Sequence, residues 1–330
     1  VTGGAGFIGS HLVEALLQRG DEVTVIDNLS TGRRENLPAR HARLRFIEGD
    51  LGAVLPGVDA GERFAEIYHL AAAVGVRRIL ERPVESIETN IVETVALLRF
   101  AEAHGPGSAT GARTLIASSS EVYGKSEAAP FAEADDCVYG PTTASRWSYA
   151  CSKAIDEHLA LAHATHAGLP VVIARFFNTV GPRQVGDYGM VLPNFVRAAL
   201  AGDALPVYGD GGQSRCFCDV RDVVPAITRL LATPACLGRV FNLGSDQLVT
   251  IGDLARLVID TLGSTSTVER IPYERAYGPG FEDLRLRRPD LTRIREAIGF
   301  RAAIPLEQTI RDIAAQMGNS HQASPRNLVQ

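Results

Sequence analysis

A doubly wound α/β fold, with a parallel sheet covered by helices on both faces and a smaller mixed domain towards the C-terminus, is the architecture this sequence predicts. Three observations predict it. Short runs dense in Val, Ile and Leu alternate with amphipathic helical patterns through the first two-thirds of the 330 residues, as in consecutive strand–helix–strand units. A glycine-rich turn, TGGAGFIGSHL at residues 2–12, leads directly into a helix. The next apolar run ends in an acidic residue, Asp27, eighteen positions beyond Gly9.

The elements follow in order. A central strand of about five residues belongs in front of the glycine turn. Only Val1 stands there, so a few further N-terminal residues, including the start methionine, are expected. SHLVEALLQRG (10–20) repeats apolar residues every three or four positions and stops at a glycine, the pattern of a helix with its terminator. DEVTVIDN (21–28), RLRFIEGD (43–50), EIYHLAAAV (66–74), RTLIASSS (113–120) and LPVVIARFF (169–177) read as buried strands. From Gly181 Gly-rich loops appear, separated by the helix LPNFVRAALAG (192–202). VFNLGSD (240–246) reads as a late return to the sheet, and Thr250 to about Met317 as helical with a connecting loop. The expected organisation is a dinucleotide-binding domain over 1–178 with a later contribution from about 216–245. A second domain takes 179–215 and 246–317, and a polar, mobile tail 318–330.

Bulk properties exclude several classes. A net charge of −5 argues against a nucleic-acid partner, which calls for a basic surface. No apolar run reaches the roughly 18 residues of a membrane-spanning helix, and no secretory signal is visible. The five cysteines (137, 151, 216, 218 and 236) form no CxxC set. Cys216 and Cys218 share a face of one expected strand but lack partner ligands, so no metal is expected and the thiols read as reduced, in a cytoplasmic protein.

Gly3, Gly6 and Gly9 form G-x-x-G-x-x-G at a strand-to-helix turn. Missing Cβ atoms allow the tight turn and let a phosphate reach the backbone, while the helix N-terminus supplies N–H groups and positive potential. A carboxylate at Asp27 suits the hydroxyls of an adenosine ribose and repels a 2′-phosphate, which favours NAD over NADP. These features mark a Rossmann domain; a tight turn beside a solvated Asp is the bland alternative. The second signal is Tyr149-Ala-Cys-Ser-Lys153. Residues i and i+4 share one helix face, so the ammonium is expected near the phenol, favouring the phenolate and making tyrosine a general base. About thirty residues earlier, Ser118-Ser119-Ser120 lies at the carboxyl end of a strand, where such sheets bind ligands.

TGGAGFIGS, HLAA, SSSEVYG, YxxxK, RFFNTVGPRQ and YGDGGQSRCF, in this order, resemble the extended short-chain dehydrogenase/reductase family, and within it the NAD-dependent nucleotide-sugar epimerases, dehydratases and decarboxylases. The likeness runs to about residue 315. It implies that Ser119, Tyr149 and Lys153 are catalytic, with Glu121 a candidate beside them. For NAD it implies Gly3, Gly6, Phe7, Ile8 and Gly9 at the turn and Asp27 at the ribose, with Asn28, Ser30, Thr31 and Gly32 as further cofactor contacts. Asp50 and Leu51 would lie near the adenine, Leu70, Ala71, Ala72 and Asn90 along the cofactor, and Phe176, Tyr149 and Lys153 at the nicotinamide end. A UDP-sugar would meet Ser119, Ser120, Glu121, Tyr149, Asn194 and Gln213, with Asn178 holding its phosphate, Tyr208 at the base, and Arg215 and Arg287 clamping the pyrophosphate. The helix bearing Tyr149 and one from about Ile91 to Ala103 resemble the pair that builds a two-fold, four-helix homodimer interface.

The shared chemistry implied is oxidation at the sugar C4, giving a 4-ketose. Ser119-Ser120-Glu121 lacks the acid–acid pair of the related dehydratases, so dehydration is disfavoured. Glu121 leans towards decarboxylation, because the UDP-glucuronate decarboxylases look like Thr-Ser-Glu. GPRQVGDYGMVLPNF leans back: it resembles 4-epimerases, with Met190 where decarboxylases carry arginine. Val185, Gly186 and Asp187 lack the arginine of hexuronate epimerases, which leaves Arg77 and Arg78 as candidate carboxylate partners. The sequence ranks a UDP-sugar 4-epimerase first, for UDP-glucose/galactose or the corresponding uronates, and a UDP-glucuronate decarboxylase as the alternative. A non-catalytic NAD-binding regulator ranks last, since a silent site has no need of Ser119, Tyr149 and Lys153 together.

Overall fold

Strands Val23–Asp27 (β1), Leu44–Glu48 (β2), Glu66–His69 (β3), Arg113–Ser119 (β4), Val171–Phe176 (β5) and Arg239–Leu243 (β8) build one parallel sheet. The computed structural model describes residues 1–73, 81–106, 111–126, 129–186, 190–273, 275 and 285–322. Arg77, Arg78 and Asp187 lie outside these, as do 323–330. β2 pairs with β1, and the other four run in the order β8-β5-β4-β3. Thr2 bridges the two groups, parallel to both Ile26 and His69. Its amide donates to the Tyr68 carbonyl at 3.0 Å, and the Ile26 amide donates to the Val1 carbonyl at 3.0 Å. Residues 1–2 therefore occupy the strand position expected in front of the glycine turn.

Central strands buried on both faces read as unbroken apolar runs, and Val171–Ala174 of β5 are fully buried. On one face, helix Phe7–Arg19 (α1) and helix Val220–Ala232 (α5) pack on the sheet through Leu12, Val13, Val223 and Ile227. α1 stops at Gly20, whose φ of 96° lets its amide reach the Leu16 and Leu17 carbonyls, a left-handed cap that glycine adopts without a Cβ clash. On the other face, Pro83–Ala103 (α2) and Ser148–Ala167 (α3) bury Leu97, Leu98 and Ala160 against Ile116 and Ile173. α2 begins at Pro83, eight residues before the expected start, because proline suits the first helical turn.

A second core gathers Val191–Ala201 (α4), Ile251–Leu262 (α6) and Leu306–Gln322 (α8) around Phe195, Leu254 and Ile310. Two short pairings flank it. Leu205–Tyr208 (β6) runs parallel to Val268–Ile271 (β10), and Ser214–Cys216 (β7) antiparallel to Leu248–Thr250 (β9). The segment from Thr250 is thus not wholly helical: β10 interrupts it. Helix Thr292–Ile298 (α7), expected with the second domain, sends Leu291, Ile294, Ile298 and Phe300 into the first core beside α5. The apolar stripe of α7 faces β8, the strand that returns to the sheet. Residues 318–322, expected in the tail, belong to α8.

One polar seam joins the cores. Asp219, at the cap of α5, accepts from the Arg221 amide at 2.8 Å and from Thr309 Oγ1 of α8 at 2.7 Å. Arg221 reaches Asp312 of α8 at 2.7 Å. Arg183, at a left-handed φ of 70°, donates its amide to Gln316 of α8 and pairs with Glu14 of α1 at 2.6 Å. Cys216 and Cys218, expected on one face of a single strand, end and begin two different strands, and both are buried.

Candidate active site

A continuous cleft of about 1680 Å³ crosses the carboxyl ends of the strands and runs between the two cores. The glycine turn forms its floor at one end. Gly3 has a φ of 68°, and a Cβ there would stand 2.8 Å from the Ala71 amide. A Cβ on Gly9 would collide with the Gly3 carbonyl. The bare turn and the uncapped N-terminus of α1 leave backbone N–H groups facing the cleft, the arrangement that receives a pyrophosphate. Asp27, at the end of β1, is buried. Its Oδ2 accepts from the Ala5 amide at 2.9 Å and its Oδ1 from the Leu29 amide at 2.8 Å. Those two bonds orient both oxygens, each with a lone pair left for a ribose hydroxyl.

Gly3, Gly6, Phe7, Ile8, Gly9, Asn28, Ser30 and Thr31 line this end with Asp27. Asp50, Leu51, Leu70, Ala71, Ala72 and Phe176 continue the wall. Asn28 donates to Asp50 at 2.6 Å. Gly32 and Asn90 do not line the cleft. Gly32 packs against the Asp27 carboxylate, where a Cβ would stand 3.0 Å away. Asn90 acts behind the wall, accepting from the Ala73 amide at 2.9 Å and donating to Ser152 at 3.0 Å. Glu93 was missed. Burial and the neighbouring Asp50 push its carboxyl up to about 7, against a bond from the Leu51 amide.

The inner wall holds the chemistry. α3 presents Tyr149, Lys153, Asp156 and Glu157 on its buried side, and Glu157 ties that helix to the sheet. It accepts from Arg175 of β5 at 2.9 and 2.7 Å, a two-bond fork that fixes geometry as well as energy. Tyr149 and Ser119 share a hydrogen bond that favours the phenolate, yet burial and then the charge of Glu121 raise the phenol well above its ordinary value. The lowering expected from Lys153 does not prevail. Lys153 Nζ bonds Asp156 at 2.8 Å with both side chains almost wholly buried, so the ammonium arrives already neutralised. Behind this pair Asp156 meets Thr94, Thr94 meets His69 at 3.1 Å and His69 meets Thr2 at 2.8 Å. Burial, then Lys153, hold the His69 ring down to about 3, so it stays neutral.

Glu121 sits on the turn after β4, where Ser119 Oγ accepts from its amide at 3.2 Å. Its carboxylate lies between two buried guanidiniums: Oε2 is 2.7 Å from Arg146, and Oε1 pairs with Arg287. Burial alone would raise this carboxyl, but Arg287 and Arg146 outweigh it and hold it down to about 2. Ser119, Ser120, Asn178, Asn194, Tyr208, Gln213, Arg215 and Arg287 all line the cleft, so every expected substrate contact is brought to one channel. Three are braced from behind: Asn178 donates to the Cys216 carbonyl at 3.0 Å, Asn194 to Gly186 at 2.7 Å and Gln213 to Tyr208 at 3.0 Å. Arg287, expected at the diphosphate end, pairs with Glu121. Arg146 was missed, although a cation one helical turn before Tyr149 is a readable signal.

A glycine cradle for a dinucleotide, opening onto a buried tyrosine and lysine, defines a dinucleotide-dependent enzyme. Residues 1–244 match the profile of the NAD dependent epimerase/dehydratase family. The chain belongs to that family, and its cofactor is NAD. A UDP-N-acetyl-alpha-D-glucosaminuronate decarboxylase from Bacillus cytotoxicus is 39% identical over 314 residues, covering 94% of this chain and 95% of that protein. UDP-glucuronic acid decarboxylase 1 from Danio rerio is 33% identical, over 99% of this chain and 76% of the relative. Among solved structures, a Thermus thermophilus UDP-glucose 4-epimerase in complex with NAD superposes with a TM-score of 0.82 at 30% identity, covering 97% of this chain and 98% of the other.

Proposed function

We propose that the protein decarboxylates a UDP-linked hexuronate, glucuronate or its 2-N-acetylated counterpart, through a 4-ketosugar formed at Tyr149. The observation that carries this reading is Glu121, a carboxylate held between Arg146 and Arg287 beside the tyrosine. Relatives named as decarboxylases over nearly the whole chain support it, and they reverse the order in which the sequence ranks the two reactions.

When bound, NAD⁺ supplies the acceptor for the C4 hydride. Tyr149, once ionised to the phenolate that its hydrogen bond with Ser119 favours, takes the proton of the C4 hydroxyl. With C4 a ketone, the C6 carboxylate is β to it. The C5–C6 bond breaks, its electron pair moves through C5–C4 onto O4, CO₂ leaves, and C5 takes a proton from water. Ser119 and the protonated Tyr149 donate to O4 as negative charge develops there, an oxyanion-hole arrangement. Glu121, kept ionised, repels the carboxylate but not neutral CO₂, so its charge favours the forward step.

Incubation with UDP-glucuronate, UDP-N-acetylglucosaminuronate and UDP-glucose, followed by mass and proton NMR, tests the reading. Loss of CO₂ from either uronate is expected. A product of unchanged mass with inverted C4 coupling would instead establish the epimerase, which the GPRQ loop and Met190 favour.

The same reading includes a homodimer. Val84, Ile87 and Val92 on α2 and Ile155 on α3 are exposed apolar side chains on the two helices expected to pair with a second copy, and light scattering with size separation reads the mass directly.

A further inference from the structure

We propose that Glu93 selects the base of the cofactor: its carboxylate, beside Asp50, receives the exocyclic amino group of adenine and disfavours a purine with oxygen there. The inference concerns the dinucleotide and stands whichever sugar reaction the protein performs.

The wall of the cleft fixes where the base lies. A pyrophosphate on the glycine turn puts the adenosine ribose at Asp27, whose two oxygens are already oriented by backbone amides. The base hangs from that ribose, on the side away from the nicotinamide half. β2 runs beside β1 with Glu48 opposite Asp27, so residues 49–51 continue past this point next to Asn28. The Gly49 amide donates to the Asp27 carbonyl at 3.1 Å, and Asn28 donates to Asp50 at 2.6 Å. Glu93 enters the same corner from α2. It lines the cleft with Asp50 and Leu51, and its carboxylate accepts from the Leu51 amide.

Two carboxyl groups in one corner oppose an anionic ligand unless the ligand brings a donor to them. Asp50 is near enough for its charge to add to burial in raising the Glu93 carboxyl. A carboxylate offers about four lone-pair positions. Asn28 takes one on Asp50 and the Leu51 amide takes one on Glu93, so both keep capacity to accept. The amino group of adenine carries two N–H bonds and only donates. One hydrogen for each carboxylate answers both acceptors at once. Hypoxanthine has a carbonyl oxygen at the same position, whose lone pairs would face the two carboxylates. A site built to accept hydrogen bonds rejects the analogue that has none to give.

The test is a competition for the cofactor site, read without turnover. The protein is equilibrated with an equimolar mixture of NAD and its hypoxanthine analogue, above the Glu93 value of about 7 so that this carboxyl is ionised. Bound nucleotides are then released and separated by chromatography. The unmodified protein should favour NAD. Glu93→Gln presents an amide hydrogen to the hypoxanthine oxygen and should cut the preference about tenfold, the worth of one charge-assisted hydrogen bond. Glu93→Leu should cut it by weakening NAD alone, which calorimetry with each dinucleotide reads separately. Glu48→Gln removes a carboxylate two residues before Asp50 that does not line the cleft. It should leave the preference within about twofold, since exposed charges are screened. An unchanged ratio in both Glu93 variants would overturn the proposal. So would equal weakening of both dinucleotides, which would make Glu93 a support for the Leu51 backbone alone, or an equal fall in Glu48→Gln.

Discussion

Lys153 shows how a spacing can leave a partner unannounced. The i, i+4 relation to Tyr149 is present, but Asp156, three residues further along the same helix, takes the ammonium. Nothing in YxxxK announces that partner, because its effect depends on burial, which a linear motif does not carry. Asp156→Asn removes a charge that raises the phenol, so the rising, low-pH limb of the kcat/KM profile, where the base must lose its proton, should move to lower pH. It should also cost about 3–5 kcal/mol of stability, as expected for a broken buried pair; a purely structural residue would lower the melting point and leave the profile in place. Glu93 makes the opposite kind of prediction. Its folded value of about 7 lies above the ordinary 4.5, so its stabilising contribution is present below the lower value and is lost as pH rises through the higher one. Glu93→Gln should therefore flatten the fall in melting temperature between these values and gain about 2 °C above pH 7. An unchanged slope would show that Glu93 ionises normally.

At the scale of elements, the glycine turn was the most legible part, because its chemistry is local. Each glycine answers a contact within a few residues or one strand away, and Asp27 follows from where the next strand ends. Gly9→Ala places a methyl against the Gly3 carbonyl. It should abolish NAD retention through purification, while a Leu200→Ala change on the exposed flank of α4 should leave retention intact. The second half was less legible. β6, β7, β9 and β10 are three or four residues long and pair across tens of residues, too short for period-two alternation to register. α7 joins the first core and not the second, because an amphipathic stripe states that a face is buried, not what buries it.

At the scale of the whole molecule, the order of motifs was sufficient for the family, and the cleft gathers nearly every residue expected there. The reaction was harder to read because it turns on a few groups that meet only in three dimensions: Glu121, Arg146 and Arg287 are separated by 25 and 141 positions in the chain. The join between the cores is equally invisible in sequence. Asp219→Ala removes the acceptor of both Arg221 and Thr309. The single melting transition should drop and broaden into two in calorimetry, with NAD protecting only the transition of the first core. A single sharp transition would mean that apolar contacts alone couple the halves.

Thr309, Asp312 and Gln316 recur at three and four residues along α8 and so form one line down that helix: Asp219 and Arg221 at the start of α5 meet the first two, and Arg183, itself paired with Glu14 of α1, meets the third. A line of contact works mechanically as a piano hinge. Rotation about it changes the gap between Tyr208 and Tyr149 while disturbing few bonds at the axis. A substrate that spanned that gap would draw the leaves together, and product release would then require them to part. Turnover would then slow in step with solvent viscosity, because the slow event is the drag of one leaf through water and not the breaking of a bond.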